Sequence, residues 1–475
     1  MSNRRDFLAL AGIAGCGVVL PGIAAGAEIS HKEKLDYIRK AAGKKHVQTF
    51  NMSGYAAPKL DTVRIGYIGV GNRGSGAVKL ASGIGNVEVV AVCDVVQEKV
   101  DSSIKSVEGK FKPTPYVGKD AWKKVCERDD IDLIYICTPW EMHAPMAIYA
   151  MKQGKHAAVE IPAAITLDEC WELVETSEKT KKHCMMLENT CYDFFEMMTL
   201  NMARHGFFGE VIHVEGAYLH DIFESLFNKD ARWNLWRLRN NFISGSLYPT
   251  HGLGPICQIL NVNCGDKMDY MVSMSSEDFM MKAKAEEMAK TDPDFEEFVK
   301  AGNFRGNMSS SIIKTAKGKT ILVQHDVSSP RPYSRLHTIS GTKASAQKYP
   351  LPGRVAVGHE WLKEDEIKEL EEKYTPELIR KVGTMAKEVG GHGGIDYLLT
   401  WRMIDCLRNG LPLDQSVYDA ASWSSIIPLS KWSTANGSRP INIPDFTNGK
   451  WKTNKEFDLT LTGGGTTAVC GKMIS

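Results

Sequence analysis

Three glycines with the spacing of a dinucleotide-binding turn are the most informative residues of the chain. Gly69, Gly71 and Gly74 follow the apolar run Val63–Val70, and the residues after them have helical character. In such a turn the first glycine allows the tight bend and the second lets a pyrophosphate approach the backbone, while the third lets helix pack on strand. A chance match in a chain with 42 glycines is the alternative. The flanking elements favour a nucleotide site, and with it hydride chemistry.

An acidic residue lies where such a site needs one. A second apolar strand, Val87–Cys93, ends at Asp94, about twenty residues after the third glycine. A carboxylate there accepts hydrogen bonds from the adenosine ribose hydroxyls and repels the 2′-phosphate of NADP, so the sequence favours NAD. The start of the following helix, with Gly71, Asn72 and Arg73, is expected to hold the pyrophosphate.

Residues after three further predicted strands complete the expected cofactor site. These strands are Asp132–Cys137, Lys155–Val159 and Cys184–Leu187. Ligands of open parallel sheets lie beyond the carboxyl ends of the strands. For any one residue a turn or cap role is the alternative. As a set we expect them to contact the dinucleotide: Trp140, Glu141, Met142, His143, Glu160, Ile161 and Asn189. Of these, Glu160 and Asn189 are assigned to the nicotinamide end.

The second half of the chain carries a histidine among aromatic and basic residues: Tyr218, Trp233, Trp236, Arg237 and His251. Aromatic rings stack on the C–H faces of sugars, and Arg and Tyr hydrogen-bond to sugar substituents. Imidazole groups titrate near neutral pH and suit proton transfer at a sugar carbon, so His251 is the predicted base. The alternatives are a helix cap for His251 and core packing for the two tryptophans.

The elements that must position these residues alternate between strand and helix in the first half of the chain. This order predicts an α/β fold whose N-terminal domain is a Rossmann doubly wound parallel sheet. Trp140–His143 are expected in the loop before a helix at Ala144–Gln153, and His251 before a helix at Ile256–Leu260. Later strands at Ile313–His325 and Leu336–Ser340 predict a C-terminal α+β domain with a mostly antiparallel open sheet.

The remaining segments set the predicted domain organisation. Residues 1–27 are assigned to a signal segment, 28–59 to an N-terminal arm, 60–188 to the NAD-binding domain and 189–475 to a substrate and oligomerisation domain. Within the arm, Lys32–Lys45 is a basic helix that could reach a neighbouring subunit of a homo-oligomer. Charged helices are expected at Ser276–Phe304 and Glu360–Val389, without chemistry. A helix at Ile395–Leu407 should end at Gly410, and one at Gln415–Leu429 should pack on the nucleotide domain.

Composition limits the classes of partner. The chain has 58 basic and 57 acidic residues, and it lacks a basic run with interleaved aromatic residues, which argues against nucleic acid. Its eleven cysteines lie in apolar strands and helices without a C-x-x-C pair. We therefore expect buried free thiols, neither a disulfide framework nor a zinc site, and no metal.

The N-terminus has the features of an export signal. Arg4 and Arg5 precede Asp6, Phe7 and a moderately apolar stretch, as in twin-arginine signals. The stretch is too short for a stable membrane span. Cleavage after Ala27 would release a periplasmic protein, whereas acylation of Cys16 would give a membrane-anchored lipoprotein. The sequence does not decide between these two forms of processing. A protein exported with a dinucleotide must retain it and regenerate it within each turnover.

Several motifs together resemble a known family. Gly69–Gly74, Glu160-Ile-Pro and the Cys-Thr-Pro…His loop are similar to those of the glucose–fructose oxidoreductase and inositol dehydrogenase superfamily, although most members have lysine where this chain has Ile161. More specifically, the chain resembles glycoside hydrolase family 109 in four stretches: Thr138–His143, Glu188–Tyr192, Tyr248–Pro255 and Ile443–Trp451. The resemblance runs from about residue 30 to the C-terminus.

This resemblance implies an NAD-dependent α-N-acetylgalactosaminidase acting on glycans with terminal α-linked N-acetylgalactosamine. It implies substrate contacts at Tyr218, Arg237, Tyr248, Pro249, Thr250, His251 and Tyr333. The expected reaction is redox-neutral: oxidation at C-3 by bound NAD, removal of the C-2 proton by His251, elimination of the aglycone, addition of water and re-reduction. Such enzymes are an exception to hydrolysis by paired carboxylates.

Two other functions remain open at this point. A periplasmic sugar oxidoreductase of the glucose–fructose type, with tightly bound dinucleotide, would use the same fold. Asp94 and the absence of lysine at position 161 weigh against it. A non-catalytic sugar-binding protein is the third alternative, because a fold alone does not give activity.

Overall fold

The computed structural model describes residues 30–229, 235–242 and 244–470. The predicted signal segment, Cys16 and Trp233 lie outside these residues. After helix α1 (His31–Ala42), strands and helices alternate through the first half of the chain. They are β1 (Val63–Ile68), α2 (Asn72–Ala81), β2 (Val87–Asp94), α3 (Gln97–Lys105), β3 (Thr114–Val117), α4 (Ala121–Cys126), β4 (Leu133–Ile136), α5 (Trp140–Lys152), β5 (His156–Val159), α6 (Leu167–Thr180) and β6 (Cys184–Met186).

These six strands form one parallel sheet in the order β3-β2-β1-β4-β5-β6. Every residue of β4, β5 and β6 is buried, since helices cover both faces of the sheet. The order reverses between β1 and β4, and ligands of such sheets bind at that point, beyond the carboxyl ends of the strands. The predicted Rossmann sheet is confirmed.

The second half of the chain builds a separate sheet with helices on one face. Its helices and strands are α7 (Phe194–Arg204), β7 (Val211–Leu219), α8 (Phe223–Phe227), α9 (Trp236–Arg239), α10 (Thr250–Ile259), β8 (Met268–Ser275), α11 (Met281–Ala289), α12 (Glu296–Ala301), β9 (Ser309–Thr315), β10 (Thr320–Asp326), β11 (Ser334–Gly341), β12 (Ala344–Gln347), β13 (Arg354–Val357), β14 (Glu360–Trp361), α13 (Glu364–Tyr374), α14 (Glu377–Val389), α15 (Ile395–Asn409), α16 (Val417–Ser424), α17 (Ile426–Ala435) and β15 (Ile441–Asn442).

The nine strands pair in the order β14-β13-β12-β11-β7-β10-β9-β8-β15, and all neighbours are antiparallel except β7 and β10. Alternate residues of β9 and β10 are buried, which is the pattern of a sheet packed on one face. Helix α10 packs against β7, and Gly252 is the contact point, because a Cβ atom there would lie 2.1 Å from the backbone nitrogen of Ala217. The predicted α/β fold with a mostly antiparallel second sheet is confirmed.

The helix of the N-terminal arm packs against the rest of the same chain. Ile38, Ala41 and Ala42 of α1 are buried, and the indole Nε1 of Trp171 in α6 donates a hydrogen bond to the Ala41 carbonyl. The apolar face of this helix therefore packs within the chain. The expected contact of the basic arm with a neighbouring subunit stays a prediction.

Helices near the C-terminus return to the first domain. Helix α15 ends at Gly410, whose φ of 64° lies in the left-handed region that glycine adopts without strain. Helices α16 and α17 replace the single helix expected at Gln415–Leu429, and α16 packs on α6 and β6 of the nucleotide domain. The predicted packing is confirmed. Helix α15 itself contacts β1 and α2, which places its start beside the glycine turn.

Candidate active site

One cavity of about 1100 Å³ lies between the two domains, beyond the carboxyl ends of the parallel strands. The glycine turn and Asp94 line one half of it. Tyr218, Arg237, Tyr248 and His251 line the other half. The same cavity is therefore lined by residues that the sequence assigned to the dinucleotide and by residues that it assigned to the sugar.

The glycine turn has the geometry that a pyrophosphate requires. Gly69 has a φ of 83°, and a Cβ atom there would lie 2.7 Å from the Cys137 carbonyl oxygen. A Cβ atom on Gly74 would lie 1.9 Å from the Gly69 oxygen, so helix α2 packs there on the turn. Gly71 borders the cavity and has no atom within 4 Å of its Cβ position. The N-terminus of α2 is thus open to an anion, and the residues fit a dinucleotide.

Asp94 lies at the rim of this half of the cavity, at the end of β2. Its carboxylate accepts hydrogen bonds from the backbone nitrogens of Val70 (2.8 Å) and Val96 (3.0 Å). Burial raises the pKa of Asp94, while these two N–H groups lower it in part. Each carboxylate oxygen keeps a second lone pair, so the group can still accept hydrogen bonds from ribose hydroxyls.

Helix α5 begins four residues earlier than the sequence predicts, so Trp140–His143 form its first turn and the expected loop is wrong. Pro145 lies within the second turn of this helix, where it removes a single intrahelical hydrogen bond. Trp140, Met142 and His143 line the cavity, whereas Glu141 does not.

His143 is held by the protein on both sides of its ring. Nδ1 lies 2.7 Å from the Pro162 carbonyl oxygen and Nε2 lies 2.7 Å from the Thr138 carbonyl oxygen. The ring is buried, and burial lowers its pKa. His143 therefore joins the loops after β4 and β5, and its two nitrogens leave no donor directed at a cofactor. His143 lines the cavity, and its expected contact with the dinucleotide stays a prediction.

The sequence predicts that Arg73 contacts the pyrophosphate, but the guanidinium group of Arg73 is bound by two carboxylates instead. Its Nε donates to Glu160 Oε1 at 2.5 Å, and its two terminal nitrogens bind the two oxygens of Asp396 at 2.6 and 3.0 Å. Asn189 Nδ2 donates to the same Asp396 at 2.6 Å. The two carboxylates attract the cation more strongly than an open turn does, which leaves only the backbone of Arg73 at the helix start.

Burial raises the pKa of Glu160, and Arg73 offsets part of that rise. Burial acts in the same direction on Asp396, but hydrogen bonds from His392 and Arg73, with their charge, lower the pKa of Asp396 well below its ordinary value. Ile161, which follows Glu160, is buried and borders the cavity. This end of the cavity therefore has two carboxylates, those of Glu160 and Asp396, and one guanidinium group, that of Arg73.

Aromatic rings form the wall of the other half. Tyr248 stacks on Trp140 with ring centres 5.6 Å apart and lies 4.8 Å from the ring of Tyr218. The Arg237 guanidinium group lies over three of these rings, 4.8 Å from the centre of Tyr248 and 5.4 Å from that of Trp140. Trp236 packs edge-on against Trp140 and also lines the cavity. A planar cation on aromatic rings presents donors in fixed directions, which suits recognition of a sugar substituent.

Three other expected substrate residues are placed differently. Tyr333 lies at the edge of the site, with its ring 4.9 Å from that of His220 and about one third of its surface exposed. Pro249 and Thr250 do not line the cavity. Thr250 is fully buried at the first position of α10, because the helix begins there and turns its side chain into the core.

His251 is paired with a buried carboxylate. Its Nδ1 lies 2.6 Å from Glu188 Oε1, and the Glu188 side chain is completely buried while that of His251 is 14% exposed. Thr190 also donates to Glu188 at 2.7 Å. Burial raises the pKa of Glu188, but the charge and hydrogen bond of His251 outweigh it, so the net shift is downward. Among the described residues none bonds Nε2 of His251, which faces the cavity as a base would.

A second histidine paired with a carboxylate faces the same cavity. His392 lies in the segment Gly390–Gly394, between α14 and α15, and its Nδ1 is 2.7 Å from Asp396 Oδ2. Gly391, His392 and Val389 line the cavity, although the sequence assigned no chemistry to this region. Helix α14, which precedes this segment, was expected to be charged and exposed, but its apolar face is buried at Leu378, Ile379, Val382 and Ala386, and its last residue, Val389, reaches the site.

The sequence missed Glu188, Asp396, His392 and His220. Glu188 was placed at a strand end and in a family motif but was given no chemical role, although it lies directly before Asn189. Four glycines around one histidine were a signal that could have identified His392. His220, which borders the cavity with its Nδ1 2.9 Å from the Tyr218 hydroxyl, follows that residue by two positions.

Among the described residues, all ten cysteines are free and mostly buried, which agrees with the predicted thiols. No group of three His, Cys, Asp or Glu side chains in these residues could hold a metal ion. Within the same residues, none of the helices has the length and apolar character needed to cross a membrane.

Two family models match consecutive parts of the chain. The oxidoreductase family with an NAD-binding Rossmann fold matches residues 63–188, and the glycosyl hydrolase 109 C-terminal domain matches residues 192–453. An alpha-N-acetylgalactosaminidase of Bacteroides fragilis is 46% identical over 410 residues, which cover 84% of this chain and 95% of that protein. The chain belongs to glycoside hydrolase family 109.

Other similarities agree with this membership. A glycosyl hydrolase family 109 protein of Shewanella pealeana is 43% identical over 476 residues, which cover 97% of this chain and 99% of that protein. A WlbA dehydrogenase of Bordetella pertussis, solved with NADH and UDP-GlcNAcA, has the same fold with a TM-score of 0.60 at 14% identity, covering 82% of this chain and all of that one. The predicted family is confirmed, and so is a glycoside hydrolase that binds a nicotinamide dinucleotide.

Proposed function

We propose that this glycoside hydrolase removes terminal α-linked N-acetylgalactosamine, using NAD that returns to its starting state in each turnover. The name of the relative from Bacteroides fragilis supports the sugar. One observation carries the mechanism: the dinucleotide turn and His251, whose Nδ1 is paired with the buried Glu188, border one continuous cavity. Proton transfer and hydride transfer can therefore act on the same sugar ring.

The bound dinucleotide would supply hydride chemistry, with oxidation of the sugar at C-3 at the beginning and its reduction at the end. The resulting ketone acidifies the C-2 proton, and Nε2 of His251 accepts it. Glu188 fixes the ring through Nδ1 and stabilises the imidazolium that forms, in the manner of a carboxylate behind a catalytic histidine. His251 later returns a proton to C-2 when water has added at C-1.

Departure of the aglycone breaks the bond between C-1 and the glycosidic oxygen, and that oxygen needs a proton. We assign this step to His392, which borders the cavity and is oriented by Asp396. Without its proton, the same imidazole can accept one from the water that attacks C-1. One carboxylate–imidazole pair thus transfers the proton at C-2. The other transfers protons to and from the oxygen atoms that leave and attack C-1.

We further propose NAD in preference to NADP, on the position of Asp94 at the rim of the cavity. The acetamido group is assigned to Arg237 and the tyrosines beneath it, because these side chains offer fixed donors on an aromatic wall. Export by the twin-arginine route, to the periplasm or to a lipid anchor at Cys16, remains a proposal from the sequence. So does assembly into a homo-oligomer.

The decisive experiment compares three α-linked p-nitrophenyl sugars: N-acetylgalactosaminide, galactoside and N-acetylglucosaminide. We expect release of p-nitrophenol from the first, without added NAD and without lasting absorbance at 340 nm. Faster cleavage of the galactoside would contradict the acetamido contact. Lasting absorbance that disappears when a second sugar is added would indicate a sugar oxidoreductase instead.

An isotope label tests the chemical route. A substrate with deuterium at C-2, hydrolysed in ordinary water, should lose the label in the sugar product and react more slowly than the unlabelled one. Full retention of deuterium with an unchanged rate would exclude elimination through C-2. The substrate comparison would then still decide the sugar.

A further inference from the structure

Asp396 connects three parts of the site that are distant in sequence. Its two oxygens bind the Arg73 guanidinium group from α2 in a bidentate arrangement, and they also accept hydrogen bonds from Asn189 (2.6 Å) and His392 (2.7 Å). The side chain is 6% exposed. The Arg73 side chain is 32% exposed, so the pair has one buried and one half-buried partner. Its bidentate geometry fixes the two side chains relative to each other, which a single exposed contact does not do.

The pair crosses from one domain to the other. Arg73 is the second residue of α2, directly after the glycine turn, and Asp396 is the second residue of α15. Both border the cavity, as do Gly391 and His392 just before α15. While the pair is intact, this loop and the glycine turn are held together across the dinucleotide half of the cavity.

We propose that the Arg73–Asp396 ion pair is a clamp that must open before the dinucleotide can leave the protein. This inference rests on the dinucleotide site and is independent of the sugar. It assigns Asp396 a positioning role at the junction of the domains, beyond its contact with His392.

The surrounding contacts allow the clamp to open without leaving a buried charge alone. When Arg73 releases Asp396, its Nε still binds Glu160 at 2.5 Å. Asp396 keeps Asn189 and His392 as hydrogen-bond donors. An isolated buried charge would be very costly, whereas here each partner keeps another contact, so opening is slow and still reversible.

The test measures how fast the dinucleotide dissociates in the absence of sugar. Protein loaded with NADH is mixed with excess NAD, and the loss of protein-bound NADH fluorescence gives the rate. Asp396→Asn keeps the shape but removes the charge and one of the two acceptor oxygens, so the bidentate pair with Arg73 is lost. We expect dissociation to become about tenfold to a hundredfold faster, the range for loss of a charge-assisted hydrogen-bonded contact.

Two further variants isolate the ion pair. Arg73→Lys keeps the charge but loses the planar fork, and it should give a smaller acceleration. His392→Ala removes the third partner of Asp396 while leaving the ion pair, so its dissociation rate should stay within about twofold of the wild type. In the Arg73→Ala background, Asp396→Asn should add no further acceleration if the two residues act as one clamp.

An Asp396→Asn rate within twofold of the wild type, in a protein whose melting temperature without dinucleotide is unchanged, would overturn the clamp. An equal acceleration by His392→Ala would also overturn it, because the loop contact and not the ion pair would then control release. If Asp396→Asn does not fold, Arg73→Lys decides alone, since an unchanged rate there contradicts the proposal. The rate of NADH dissociation is measured without sugar, so it does not depend on which glycoside the protein cleaves. The clamp and the proposed sugar can therefore fail independently.

Discussion

Two carboxylate–imidazole pairs face the same cavity, and they differ in the backbone that carries them. Glu188–His251 joins the end of the parallel sheet to the first turn of α10, and its side chains are 0% and 14% exposed. Asp396–His392 has a buried carboxylate, but its imidazole is 65% exposed on a loop in which Gly390, Gly391, Gly393 and Gly394 all have positive φ. One pair is fixed by packing and the other is carried by a segment that glycine makes conformationally permissive.

The difference matches the two proton transfers that we assign to the pairs. Removal of a proton from carbon requires one exact position relative to the sugar ring, and a helix start held by a buried carboxylate supplies it. Protonation of the aglycone oxygen and later activation of water occur at a place that different leaving groups occupy. A histidine on an exposed loop can adapt to them, and small loop movements cost little there.

The largest predicted effect is the loss of the fixed imidazole. His251→Ala should lower kcat by roughly 10³-fold, because a positioned general base contributes that order of rate. Dinucleotide content should remain at the wild-type level, since His251 lies in the sugar half of the cavity. Measurement of p-nitrophenol release together with bound nucleotide checks both. Appreciable activity, or loss of the nucleotide, would contradict the assignment of His251 as base.

Glu188→Gln should give the next largest effect. The amide keeps the shape but loses the charge that stabilises the imidazolium, so we expect kcat to fall on the order of 10²-fold with little change in KM. Asp405→Asn, another fully buried carboxylate that does not line the cavity, serves as control for simple destabilisation. A kcat loss no greater than that of the control would show that Glu188 is only structural.

The same variant changes how stability depends on pH. Burial raises the pKa of Glu188, but the contact with His251 brings it below the ordinary value of 4.5. A lowered pKa stabilises the fold above the unfolded-state value, and that contribution is lost as pH falls below about 4.5 and through the folded-state value. Unfolding by urea between pH 3 and 6 should therefore show a shallower acid decline in Glu188→Gln. An unchanged slope would contradict the charged pair.

The same contrast explains what the sequence could predict. The glycine turn, Asp94 and His251 lie in local patterns that follow from backbone geometry, so the position of the nucleotide half could be inferred from spacing alone. Asp396 could not be found in this way, and the glycines around His392 mark an unusual backbone without placing that residue at this site. Asp396 and His392 reach the site only because α15 packs against the glycine turn, a contact between residues more than 300 positions apart.

Arg73 and His143 show the opposite error. Both occupy the right segment, but their side chains bind other parts of the protein: Arg73 the carboxylates of Glu160 and Asp396, and His143 two backbone carbonyls. A strand end predicts which residues come close to a ligand. It does not predict which of these side chains are already bound to other protein groups, because tertiary packing determines which groups lie next to them.

Loss of the loop imidazole should have a smaller effect that depends on the leaving group. His392→Ala is expected to reduce turnover of a p-nitrophenyl glycoside by roughly tenfold, because that anion departs without much protonation. With a methyl or serine glycoside the loss should be larger, on the order of a hundredfold. Rates on both substrates give the ratio, and His251→Ala is the matched comparison with equal losses on both. Equal losses in His392→Ala would remove the assignment of His392 to the aglycone.

The smallest effect should come from the loop backbone. Gly393 has a φ of 73° and no atom within 4 Å of its Cβ position, so Gly393→Ala introduces backbone strain without a clash. Alanine in this region costs roughly 1 kcal/mol, enough to lower the population of the observed loop, and with it kcat, by about fivefold. Gly437→Ala is the matched control, since Gly437 has a φ of 67° and equally open surroundings away from the cavity. It should lose similar stability and no activity. The isotope effect of a C-2 deuterated substrate should shrink in Gly393→Ala as the aglycone step becomes slower, while an unchanged or larger effect would mean that the loop acts on the same step as His251.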